Sequence, residues 1–196
     1  NALVVYSILS DAFSSTLSGG FEIKSLTVMS ITPGSGYNTG PVNITSLEGA
    51  GFLAGSTVAL TRSGETAIPG TSVSVAYSTQ ITCAFDLTGK ATGYWDVVLT
   101  SDSLVSALPA GFLVKSLALA SISPGLGYGT DQAHTADLYG EGFVAGAVVN
   151  LSRSGQSDIT ATGVTVAGSA RITCSFDLTG RLTGYWDVVV STGGAG

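Results

Sequence analysis

Hydrophobic and polar positions alternate most cleanly over Ile81-Thr82-Cys83-Ala84-Phe85-Asp86-Leu87. In an extended chain Ile81, Cys83, Phe85 and Leu87 share one side, and Thr82, Ala84 and Asp86 share the other. A period of two marks a strand with one buried face. Thr88-Gly89 and Thr92-Gly93 then supply turn chemistry, and Trp95-Asp96-Val97-Val98 opens another strand. The pattern predicts a hairpin that sends Cys83, Phe85 and Trp95 or Tyr94 into a core. The whole succession returns as Ile172-Thr173-Cys174-Ser175-Phe176-Asp177-Leu178-Thr179-Gly180 and Tyr185-Trp186-Asp187-Val188-Val189. The offset is 91 residues from Cys83 to Cys174, from Trp95 to Trp186 and from Arg62 to Arg153. Without a gap, about half of the aligned positions are identical. Solenoid units repeat every ~20–50 residues, so a period this long means two copies of a whole domain.

The remaining alternations divide the first copy into short strands. Leu26 to Thr32 is stopped by Pro33-Gly34, Pro41 to Leu47 is closed by Gly49-Ala50-Gly51-Phe52, and Thr57 to Thr61 ends at Arg62-Ser63-Gly64. Val73 to Tyr77 precedes the hairpin segment, and Gly111-Phe112-Leu113-Val114-Lys115 is the closing strand. Short strands between turn signals predict an all-β chain built from tandem immunoglobulin-like sandwiches. The expected division is an arm over 1–25, a first domain over 26–116 and a second over 117–196.

The arm repeats the end of a domain. Ser10-Asp11 matches Ser101-Asp102, Leu17 matches Leu108, and Gly20-Phe21-Glu22-Ile23-Lys24 matches Gly111 to Lys115. Val4 lies in the strand-forming run Leu3 to Leu9. After Val190 the second copy passes into Ser191-Thr192-Gly193-Gly194-Ala195-Gly196 with no counterpart of Gly111 to Lys115. The expectation is strand donation: Phe21 and Ile23, with Leu17 and Val4, complete the second sandwich of a neighbouring copy, giving a head-to-tail homopolymer. An unpaired sheet edge is otherwise an aggregation hazard; the alternative is that both ends are cuts through a longer tandem array.

Composition narrows the function. Only 10% of residues are charged and the net charge is −6, so no Lys/Arg cluster exists to displace counterions from nucleic acid. No run of about 18 apolar residues is present to form a spanning helix. The two cysteines occupy equivalent positions, one per copy, so neither copy can close an internal disulfide; each reads as a free, buried thiol.

Candidate chemistry is sparse. His134 is the only histidine and stands where the first copy has Asn43, so a metal site has no second imidazole. No Gly-x-Ser-x-Gly elbow occurs, and no catalytic residue or cofactor site is expected. Asp86, Asp96, Asp177 and Asp187 recur in both copies beside Thr-Gly turns, where Asp accepts backbone hydrogen bonds; Ca²⁺ ligation is the alternative. Asn43-Ile44-Thr45 and Asn150-Leu151-Ser152 fit the N-glycosylation pattern if Asn43 and Asn150 face outward. Tyr37 and Tyr128, after the Pro-Gly turns, are candidates for packing over the sandwich end or for stacking on sugars.

The succession Ile31-Thr32-Pro33-Gly34, Gly49 to Phe52, Gly55, Val58 and Leu60, with its second copy from Ile122 to Leu151, resembles the IPT/TIG family of immunoglobulin-like domains. The Ile-Thr-Cys-x-Phe-Asp-Leu-Thr-Gly and Tyr-Trp-Asp-Val-Val endings look like tandem repeats of prokaryotic surface proteins. The resemblance implies a secreted or surface-anchored β-sandwich module without catalytic residues. The expected function is thus a structural subunit of an extracellular filament. Its partners would be further copies of itself, with cell-surface components or glycans as further ones. The competing function is an adhesin or carbohydrate-binding fragment of a larger surface protein.

Overall fold

Alternating apolar residues and frequent glycines fold into strands throughout the computed structural model, which describes Ser18 and residues 25–192; no helix occurs among them. The first repeat contains β1 (Thr27–Thr32), β2 (Ser35–Tyr37), β3 (Pro41–Ala50), β4 (Thr57–Thr61), β5 (Ile68–Tyr77), β6 (Gln80–Asp86), β7 (Gly93–Ser101) and β8 (Leu104–Lys115). The second contains β9 (Ala118–Ser123), β10 (His134–Glu141), β11 (Ala147–Ser152), β12 (Ile159–Thr160), β13 (Thr162–Val166), β14 (Arg171–Phe176) and β15 (Asp187–Thr192).

In the first repeat the strand order is β1-β3-β6-β5-β4-β7-β8-β2. The continuous order hides two faces, because β5 changes partner midway. Ile68 and Pro69 pair with β4, whereas Gly70 to Tyr77 pair with β6. One layer is therefore β1-β3-β6-β5 and the other β4-β7-β8-β2. Between them lies one apolar cluster, with Ile44, Leu47, Ile81 and Phe85 from the first layer and Leu60, Trp95, Val97 and Phe112 from the second. This is the sandwich that the period-two patterning requires.

The segment read as a hairpin is not one. Strand β6 pairs with β3 and β5, while β7 pairs with β4 and β8. The chain from Leu87 to Thr92 instead crosses from one layer to the other. Both strands carry large apolar side chains on their inner sides, Phe85 on β6 and Trp95 on β7. Paired side by side these would line one face of one sheet; placed in opposite layers they bury each other's layer. The closing strand also starts earlier than Gly111, since β8 begins at Leu104 and pairs with β7 from Ser101↔Leu104 onward. A bulge between Trp95 and Val97 is stitched by Asp96, whose carboxylate accepts the Ala110 N–H at 2.7 Å.

The second repeat builds the same layers with fewer strands: β13-β14-β10-β9 against β12-β11-β15. Strands β12 and β13 together stand where β5 stands, 91 residues on, and are separated at Ala161. A second apolar cluster gathers Leu138, Phe143, Val149, Ile159, Ile172 and Phe176. Cys83 and Cys174 are buried and free in the two clusters, as expected.

Candidate functional site: a groove over the second core

The two repeats diverge where β8 lies in the first. There Phe112 and Val114 are fully buried, Phe112 reaching Phe85 with ring centroids 6.0 Å apart. Strand β8 also organises its surroundings. It pairs with β7 on one side and holds β2 by parallel pairing on the other, Ser35↔Leu113, Gly36↔Val114 and Tyr37↔Lys115. Position 195 would be the first counterpart of β8, and residues 193–196 lie outside the described ones. Among the described residues β11 is the one strand that pairs with β15, and residues 126–128, the counterpart of β2, form no strand.

What remains is an apolar groove of about 440 Å³, lined by Leu126, Tyr128, Phe176, Leu178, Trp186 and Val188 among others. Its mouth carries exposed apolar side chains, with Leu126, Leu182 and Tyr128 all more than half exposed and Tyr185 exposed to 99%. The duplicated pattern expects Trp95 and Trp186 each in a core, and for Trp186 this holds only in part. Trp95 is 1% exposed, whereas Trp186 is only half-buried and packs against the edge of its cluster. Phe85, Phe176 and Trp95 are buried as expected. The reason is packing from outside: Trp95 is covered by its pairing partner Phe112, and Trp186 has no such cover among the described residues.

The loop under each tryptophan is preorganised alike. Trp95 Nε1–H donates to the Ala91 carbonyl at 3.0 Å, and Trp186 Nε1–H to the Leu182 carbonyl at 3.1 Å. Arg62 donates to the Thr92 carbonyl at 2.6 Å, and Arg153 to the Thr183 carbonyl at 2.9 Å. The Arg153 guanidinium also lies 6.0 Å from the Trp186 ring centre. Read as parts of turns, the two arginines are in addition the clamps of the loop that presents the tryptophan. Their duplication at the common offset was the available signal.

Val4, Leu17, Phe21 and Ile23, the residues expected to donate a strand, lie outside the described residues. The other candidates are scattered. Asn43 is exposed on the outer face of β3, beside the buried Ile44. Asn150 is half-buried on β11, and its Oδ1 is buried without a hydrogen-bond partner. Asp86 Oδ1 accepts from the Thr88 hydroxyl at 2.6 Å and from the Thr88 N–H at 3.0 Å, and Asp177 Oδ1 accepts the Thr179 N–H at 3.0 Å. These are the backbone-accepting turns expected of such aspartates, and each carboxyl is held below its ordinary 3.8 by them. Asp131 takes the Tyr128 N–H at 2.8 Å and lies 3.3 Å from His134 Nδ1. Among the described residues no group of three His, Cys, Asp or Glu side chains is placed to share a cation. No described helix is long and apolar enough to cross a membrane.

No family model matches the sequence, and no curated protein matches it. Similar solved structures include two of the plexin A4 full extracellular region. That of domains 1 to 10 shares 15% identity over 81% of this chain and 13% of its own, with a TM-score of 0.42. That of domains 1 to 8 shares 14% identity over 95% of this chain and 18% of its own, with a TM-score of 0.45. The chain thus spans less than a fifth of the plexin chains it resembles.

Proposed function

We propose that the chain is a structural subunit of an extracellular filament, built from two immunoglobulin-like domains over 26–116 and 117–196. It acts by association and performs no catalysis. The observation that carries this reading is the groove over the second core, which occupies the place that β8 fills in the first. Its lining is mostly apolar and it is bordered by β15, which pairs on one side only among the described residues, the combination that an extended peptide satisfies by adding a strand. Residues 20–24 repeat the closing strand Gly111 to Lys115 with Phe21 and Ile23 at the places of Phe112 and Val114. Transferred by the same register, Phe21 faces Trp186, Ile23 faces Gly184, and Glu22 lies beside Leu126. A strand given by one copy to the next makes a contact that is head-to-tail and open, so it propagates.

The test is polymerisation of the purified chain, followed by electron microscopy and sedimentation. Deleting residues 1–25 should abolish polymers, and Phe21→Asp alone should do the same while leaving the first domain folded. A peptide of residues 13–25 should bind the deletion variant and quench or shift Trp186 fluorescence. Unchanged polymers after the deletion, or a groove closed by sequence continuing beyond Gly196, would sink the idea. A second reading, a carbohydrate-binding module, is favoured by the exposed Tyr128 and Tyr185 rings at the groove mouth. Saturable glycan binding lost on Tyr185→Ala would select it.

A further inference from the structure

The contact between the two repeats is built from specific groups. Strand β8 ends at Lys115, and Ser116-Leu117 leads directly into β9. Across this joint the Tyr37 hydroxyl donates to Glu141 Oε2 at 2.7 Å, and the Thr39 hydroxyl donates to the Gly142 carbonyl at 3.0 Å. The Glu141 carboxylate holds the Tyr37 phenol above its ordinary 10.0. Lys115 Nζ lies 5.2 Å from the Tyr37 ring centre. Gly142 is buried at φ +77°, and a Cβ there would meet Tyr37 Cδ1 at 2.8 Å and Leu117 Cα at 3.3 Å. The missing side chain is what lets the tyrosine ring come so close.

Each half of this joint occurs a second time. Tyr128 and Thr130 stand at the places of Tyr37 and Thr39, and their loop is pinned the same way. The Gly180 N–H donates to the Gly129 carbonyl at 3.0 Å, as the Gly89 N–H donates to the Asn38 carbonyl at 2.9 Å. Tyr128, however, is 70% exposed. On the other side, Gly51 stands at the place of Gly142 with φ +78°. A Cβ there would lie 3.3 Å from Leu26 Cα, as one on Gly142 would from Leu117 Cα. Gly51 is only half-buried, because no described tyrosine covers it. The linkers agree as well: Lys24-Ser25-Leu26 repeats Lys115-Ser116-Leu117.

Resting on the strand-donation reading, we propose that Tyr128 and Thr130 of one copy seat on Gly51 of the next, reproducing between copies the joint seen within one. The partner of both surfaces is a second copy of this chain. Strand donation alone fixes which groove is filled; this joint fixes how the next domain is oriented. The filament then advances by the same step at every domain, whether the joint is covalent or not. One group does not carry over. Ala50 stands where Glu141 stands, so Tyr128 finds no carboxylate, and the joint between copies lacks the 2.7 Å hydrogen bond of the joint within one. Polymers should therefore part between copies.

The test mixes full-length Thr130→Cys protein with Ala50→Cys protein and bridges them with a short bis-maleimide; the native thiols are buried and do not compete. A cross-linked dimer should form in the mixture and not in either protein alone. Ala50→Glu should lower the concentration needed for polymers severalfold without changing the affinity of the peptide of residues 13–25. If polymers form and the peptide binds, yet no cross-link appears and Ala50→Glu changes nothing, the joint is wrong and strand donation stands. If the peptide does not bind and no polymers form, strand donation falls and takes the joint with it.

Discussion

Trp95 and Trp186 sit in the same sequence, Thr-Gly-Tyr-Trp-Asp-Val-Val, and make the same indole hydrogen bond to a carbonyl four residues earlier. One is sealed and the other is half-buried. The difference continues along the strand: Val97 and Leu99 are fully buried, and their counterparts Val188 and Val190 are only partly so. It reaches across the sandwich too, from Leu60 and Leu87 in the first repeat to the less covered Leu151 and Leu178 in the second. Local sequence decides that these side chains point inward. Whether inward means dry is decided by a strand distant in sequence, β8, which pairs with β7 and carries Phe112 and Val114 over the core. The comparison assigns to one strand the closure of a whole end of the sandwich.

The largest effect that tests this comparison is the cost of removing each indole. Trp95→Ala should destabilise the first repeat by about 3–5 kcal/mol, the range for a sealed large side chain. Trp186→Ala should cost about 1–2 kcal/mol, because much less of its area leaves water on folding. Chemical denaturation followed by tyrosine fluorescence and circular dichroism reads both. Equal losses would mean that the groove is covered in solution. In polymers joined by strand donation the two losses should converge.

Much of this was legible in the sequence. The alternation over Ile81 to Leu87 placed Cys83 and Phe85 in the core, and the 91-residue offset carried the placement to Cys174 and Phe176. Three things were not legible. The hairpin reading of Ile81 to Val98 failed because alternation reports which side of a strand is buried and says nothing of which layer the strand joins. Strand β2, three residues with a glycine at its centre and another just before it, has no pattern of its own and exists through its pairing with β8. The joint at Tyr37, Thr39, Glu141 and Gly142 spans more than 100 residues of chain, and no local spacing points to it. The loss of strand at 126–128 follows from the same dependence, since its sequence Leu-Gly-Tyr nearly repeats Ser-Gly-Tyr.

A smaller effect concerns the two thiols, which are both buried although their repeats are unequally closed. Burial pushes the Cys83 thiol from an ordinary 9.0 up to about 11. Burial, then the Asp137 carboxylate, does the same to Cys174, also to about 11. A thiol whose folded value lies above its unfolded one favours the folded state fully below pH ~9, and that contribution is lost as pH rises from 9 through about 11. Stability of both repeats should decline over that window. At neutral pH a thiol reagent should label both cysteines slowly, by opening, and Cys174 should be the faster because its repeat is less closed. Binding of the peptide of residues 13–25 should slow Cys174 alone. Faster labelling of Cys83 would reverse the ranking that the groove implies.

The smallest effect lies at the turns, where the two repeats nearly agree. The Asp86 carboxyl is held below its ordinary 3.8 first by the Thr88 hydroxyl and then by the Thr88 N–H. For Asp177 the order is reversed, with the Thr179 N–H first and its hydroxyl second. A carboxyl whose folded value is depressed stabilises the fold fully above its unfolded value of ~3.9, and that contribution is lost as pH falls through the lower, folded value. Both side chains are exposed, so the effect on overall stability is slight and is screened by salt. The site-specific titration is the sharper measurement. Thr88→Val removes the 2.6 Å hydroxyl bond and should raise the Asp86 pKa clearly, whereas Thr179→Val should raise that of Asp177 less. Carboxyl carbon shifts followed by NMR from neutral pH into acid resolve the two. Asp177 lies between Phe176 and Leu178, which line the groove, whereas the Asp86 turn belongs to the closed repeat, so the peptide of residues 13–25 should shift the Asp177 titration and leave that of Asp86 unchanged. An unchanged Asp177 titration in the peptide-bound protein would mean that the added strand does not reach the loop that forms this wall of the groove.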